Sequence, residues 1–164
     1  MSDLTGERAE LVETLRRHRF FLVNTARELT DEQAAMKPTV SALSVGGLIK
    51  HVTRVENSWL AFAQGGAEAM EAIAVDWVGQ FVMGPDETLA DLMKEYDRVA
   101  GATDDFVAVA DLDAAHPLPT APWFEPGKSW SVRRVMLHLI AETSQHAGHA
   151  DIIRETLDGA KSMG

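Results

Sequence analysis

The 164 residues carry a formal net charge of −10 and no cysteine. This excludes disulfides, cysteine-based metal sites and a protein thiol nucleophile, and it argues against nonspecific binding to nucleic acid or an anionic membrane. With 46% hydrophobic residues the chain can bury a proper core, and its length makes one domain, 1–164, the expectation.

The opening MSDLTGERAE is polar and acidic and resembles no signal peptide. No apolar run is long enough for a bilayer, so a soluble, cytoplasmic protein is expected. Leu4 to Leu29 has helical periodicity, with Leu11, Leu15, Leu22, Ala26 and Leu29 on one side. Arg16, Arg17, Arg19 and Arg27 are read as solvated, and His18 as a surface residue among them. Thr30 and Gln33 have capping-box spacing, and Lys37-Pro38 breaks the chain. A second helix is expected from Ser44 to about Gln64, ended by Gly65-Gly66. Val45, Leu48, Val52, Val55, Trp59 and Phe62 form its apolar face, with His51 beside it. Residues 65–85 read as a long connection whose aromatics pack over the bundle. Asp86 or Thr88 caps a third helix from about Leu89 to Val109, weakened in the middle by Gly101. Asp111 to Lys128 is proline-rich and reads as a loop carrying His116, Trp123 and Phe124. Four amphipathic helices without a convincing strand give an all-α class, a four-helix bundle with a long crossover between helices two and three.

The fourth helix lies within KSWSVRRVMLHLIAETSQHAGHADIIRETLDG, residues 128–159, with Ser129 or Ser131 at its start and Gly159 at its end. His138, Glu142, His146 and His149 form a polar stripe, because steps of four, four and three hold one helical face. Burying such a stripe is costly unless something binds it, and a divalent metal is the simplest partner. Glu142 and His146 lie one turn apart, and His51 can approach them from a facing helix. Two nitrogens and a carboxylate suit zinc, nickel or iron and leave positions open for substrate. The competing reading is a buried hydrogen-bonded network, and spacing alone does not select which stripe residues are ligands.

Other candidates surround this stripe. Arg54 and Arg154 each lie near a proposed ligand in sequence and suit either surface ion pairs or a substrate carboxylate. Trp59, Trp77, Trp123 and Trp130 read as core or interface residues able to line a pocket. Trp123 and Phe124 are expected at the pocket mouth, in reach of a bulky cosubstrate but not of a metal. Trp77 and Phe81 are expected to supply an apolar patch for a homodimer.

The segment SWSVRRVMLHLIAETSQHAGHADIIRETLDG resembles the C-terminal signature of the DinB-like superfamily, in its DUF664 branch. LSVGGLIKHVTRVENSWL, with His51 and Trp59, resembles that branch's second helix. The resemblance implies a metal bound by one helix-two histidine and a spaced pair on helix four: here His51, Glu142 and His146. Many members have histidine where Glu142 stands, but mycothiol-dependent isomerases of the superfamily are similar in using glutamate. His149 matches a further histidine of related bacillithiol transferases, which implies a place beside the ligands; there it can orient a ligand or relay the thiol proton, and Glu142 has a competing role as general base. The implied activity is a metal-dependent S-transferase, zinc being favoured, that conjugates a low-molecular-weight thiol such as mycothiol to an electrophilic small molecule. A thiol-dependent isomerase, a metal hydrolase and a non-catalytic metal-binding bundle are the alternatives.

Overall fold

The computed structural model describes residues 4–74, 76 and 78–162. Its helices are α1 (Gly6–Thr25), α2 (Asp31–Ala35), α3 (Val45–Glu71), α4 (Leu89–Val109) and α5 (Val132–Asp158). Two three-residue strands, β1 (Ala115–Pro117) and β2 (Ser129–Ser131), pair antiparallel between α4 and α5. The class is all-α, and the expected bundle is present.

Local chemistry fixes the ends. Ser44, Thr88 and Ser131 accept hydrogen bonds from the backbone N–H of Gly47, Asp91 and Arg134, satisfying donors that the first turn leaves free. Thr30 and Gln33 form a reciprocal capping box on α2. Gly159 ends α5 with φ 79°, a left-handed conformation that favours glycine. Helix α3 breaks at Gly66, where φ is 75°, and continues to Glu71, about two turns beyond the expected end. The backbone turns out of line here, so the hydrophobic stripe upstream keeps its own register.

Pairs of contacts give the helix directions. Arg133 at the start of α5 binds Glu7 at the start of α1, and Arg154 near the end of α5 binds the carbonyls of Thr25 and Arg27. These two helices therefore run parallel. Trp59 meets His138 while His51 meets His146, so α3 and α5 are antiparallel. Leu89 and Tyr96 share a core cluster with Val45 to Val52, and Val107 shares the other with Trp59 and Phe62, so α4 runs parallel to α3. A parallel pair cannot be joined by a tight hairpin. The chain must return along the 27-residue α3, about 40 Å at helical rise. Residues 72–88 make that return, and at about 3.3–3.6 Å per extended residue they suffice.

The crossover is pinned to the first turns of α3. The Lys50 ammonium donates to the carbonyl of Val82 at 2.9 Å and to Glu87 at 2.7 Å. The Phe81 carbonyl passes so close to Gly47 that a Cβ there would fall 2.0 Å from its oxygen.

Two expectations are corrected. Arg19 is not solvated: it is 6% exposed and forms ion pairs with the fully buried Glu56 and with Asp104. Its position, four residues after Leu15 and three before Leu22, is on the buried stripe, and an ion-pair partner on α3 makes burial tolerable. The proline-rich segment is not wholly loop, because β1 and β2 clasp its base. Strands of three residues are too short to show alternation in sequence.

Candidate functional site

His51, Glu142 and His146 offer ligand atoms that all lie within 4.8 Å of one another. The antiparallel packing of α3 on α5 creates this group. His51 follows the close-packed start of α3, and Glu142 and His146 share the facing side of α5. His51 is 8% exposed, and its ring centroid lies 4.9 Å from that of His146. Nε2 of His146 lies 3.5 Å from Glu142, and Nε2 of His138 lies 3.9 Å from the other carboxylate oxygen.

Among the described residues, Nδ1 of His51 is buried without a hydrogen-bond partner. A buried polar atom in that state costs about 1–3 kcal/mol, which coordination would recover. The protonation states also fit a metal. Burial, with His146 nearby, pushes His51 down to about 4, so it is neutral at physiological pH. The hydrogen bond from His146 lowers Glu142 against the opposing effect of burial, so it stays a carboxylate. Two imidazoles and a carboxylate are a donor set suited to a divalent ion, so these residues could hold a metal.

Neighbours hold the rings in place. Phe81 from the crossover stacks on His51, with centroids 3.9 Å apart and planes 22° apart. Gln80 lies near enough to His51 to act on its charge. Nδ1 of His149 lies 3.4 Å from Nδ1 of His146, on the side away from Glu142, which orients the ring. His138 packs edge-on against Trp59 and Trp130, and burial lowers its pKa.

A cavity of about 600 Å³ lies on the Arg54 and Trp59 side of α3, one helical turn or more along it from His51, and none of the three candidate ligands lines it. Arg54, Trp59, Trp123 and Phe124 line it, as do Gln80 and Ser58. Gln80 and Arg54 both line the cavity and act electrostatically on His51. Four of the five sequence candidates for ligand contact are thus together. The fifth, Arg154, is not brought to this cavity: it is 5% exposed and its donors go to Asp158 and to the carbonyls of Thr25 and Arg27. Trp130 stacks on Trp59 at 4.7 Å, forming a wall behind the cavity. Phe81 is folded inward on His51, and Trp77 lies outside the described residues. Sequence reading missed Gln80 and the covering role of Phe81, since an aperiodic crossover carries no signal of what it packs against.

No curated protein matches the chain. Among solved structures, a conserved protein from Enterococcus faecalis superposes with a TM-score of 0.70. The match covers 96% of this chain and all of that one at 15% identity, and shows the shared fold alone. The family model described as Mycothiol-S-transferase matches residues 10–159, a span that takes in His51, the crossover and the α5 stripe. The chain therefore belongs to the DinB-like mycothiol S-transferase family.

Proposed function

We propose that this protein is a metal-dependent S-transferase that joins mycothiol to an electrophilic small molecule. The observation that carries the reading is the His51, Glu142 and His146 group, with its buried unpartnered nitrogen, in a fold whose cavity includes Arg54, one helical turn from His51. His51, Glu142 and His146 would hold the ion, zinc in our reading. Bound there, a divalent ion would supply positive charge that favours thiolate over thiol.

The chain's own residues do the rest. His149 fixes the His146 ring through its Nδ1 contact. Phe81 shields one face of His51 from water. Trp59, Trp123 and Phe124 line the cavity that would take a substrate's body. In the transfer, the thiol sulfur gains a bond to an electrophilic carbon. The displaced group leaves with its electron pair, and the thiol proton passes to a base. Glu142 is the candidate base if it does not coordinate, because its carboxylate lies between His138 and His146. We further propose a cytoplasmic homodimer.

The test is elemental analysis and thiol conjugation for His51→Ala, Glu142→Ala and His146→Ala. Loss of metal and of conjugation in all three is expected. Full metal content in all three would remove the ligand assignment. Metal kept only by Glu142→Ala, with activity lost, would make Glu142 the base and His149 the candidate third ligand. Product analysis separates the reactions: a stable thioether supports transfer, whereas thiol returned unchanged indicates isomerisation.

A further inference from the structure

The cavity lined by Arg54 and Trp59 joins two features that the transferase chemistry above leaves unassigned. Its walls are largely flat and apolar. Trp59 is held rigidly by stacking on Trp130, Phe124 stands edge-on to it at 6.0 Å, and Pro119 and Pro122 stiffen the opposite side. Trp123 stands at the mouth, 68% exposed. Such a surface takes a planar apolar body.

The second feature is Arg54. It lines the same cavity, yet its Nη1 is buried and has no hydrogen-bond partner among the described residues. The buried arginines Arg19 and Arg154 differ from it. Arg19 is held by Glu56 and Asp104, and Arg154 by Asp158 and two carbonyls. Among the described residues no carboxylate lies within ion-pair distance of Arg54; Asp76 and Glu87 act on it only at longer range. Glu71, also on the lining, is exposed. A guanidinium with a spare buried N–H offers a fork for a carboxylate.

We infer that this cavity binds a planar, apolar electrophile that carries one carboxylate, with the carboxylate on Arg54 and the flat body between Trp59, Trp123 and Phe124. The inference rests on the transferase reading for the identity of the second substrate. Mycothiol is a sugar conjugate without an acid group, so the anion belongs to the electrophile. The carboxylate anchors the substrate one helical turn along α3 from His51, which leaves the reactive carbon free to face the thiol.

The experiment is isothermal titration of the full-length protein with 2-naphthoate and with the neutral 2-naphthamide, both metal-loaded and after chelation. Naphthoate is expected to bind about tenfold tighter or better in both states, charge-assisted hydrogen bonding being the source of the difference. Arg54→Gln is expected to abolish the preference. A wild-type ratio near one in the chelated protein overturns the inference without any variant. A preference that Arg54→Gln retains, or one that needs the ion, also overturns it, because the carboxylate then sits elsewhere. No thiol is present, so the two readings fail separately. Conjugation without carboxylate preference overturns this inference alone, and carboxylate preference without conjugation overturns the transferase reading alone.

Discussion

Glu56 is fully buried, and its charge is tolerated only because Arg19 meets both carboxylate oxygens. Truncation by Glu56→Ala leaves the guanidinium with Asp104 alone. Urea unfolding should show a loss of about 3 kcal/mol, the lower end for a broken buried pair. A double replacement, Arg19→Met with Glu56→Leu, should recover most of it. If the single variant is as stable as wild type, the pair is not a structural tie. His51 gives a pH dependence in the metal-free protein. Its folded pKa is depressed to about 4 from 6.5, chiefly by burial. The unfolded chain therefore takes up a proton that the fold refuses. The contribution is complete above about pH 6.5, falls as pH drops towards 4, and is level below that. Allowing for solvent on the Glu142 side, it amounts to about 2 kcal/mol. In urea unfolding, wild type should lose about that much stability relative to His51→Gln between about pH 7 and pH 4, and a pH-independent difference would contradict the assignment.

The crossover is the element on which the site depends most. Gly47 lets it approach α3, since a Cβ would meet the Phe81 carbonyl at 2.0 Å. Gly47→Ala should push the segment outward, cost about 1–3 kcal/mol in thermal unfolding and weaken metal binding as Phe81 lifts from His51. Gly101→Ala is the contrast. Nothing lies within 4 Å of its added Cβ, and an α4 interior position should gain about 1 kcal/mol. Equal effects at the two glycines would show that crossover contact is not what matters. This element also divides what was legible in the sequence from what was not. The α5 stripe could be read because steps of four, four and three obey helical geometry whatever the tertiary structure. The cap at Ser44 was visible for the same local reason, and Thr88 and Ser131 were each visible as one of two candidates. Phe81 over His51 was not visible, because residues 72–88 have no period. Arg19 was misread because its spacing indicated burial while its charge indicated solvent, and the deciding partner is 37 residues away.

At the scale of the molecule, among the described residues no helix is long and apolar enough to cross a membrane. The homodimer proposal is checked by sedimentation across a range of protein concentrations. A mass of two chains at the higher concentrations is expected, and a concentration-independent single-chain mass would overturn it. With Phe81 turned inward, the remaining exposed apolar side chains include Phe20 on α1, 61% exposed. The candidate ligands, meanwhile, are divided between α3 and α5, antiparallel neighbours from opposite halves of the chain. No short stretch holds all three, so an unfolded chain cannot capture an ion as a local loop could. The ion would then act as a reporter of the whole fold. Each tenfold excess of free metal over its dissociation constant would add about 1.4 kcal/mol to global stability. A chelator titration would move the melting temperature by the same linkage, so calorimetry alone could measure metal affinity without following any reaction.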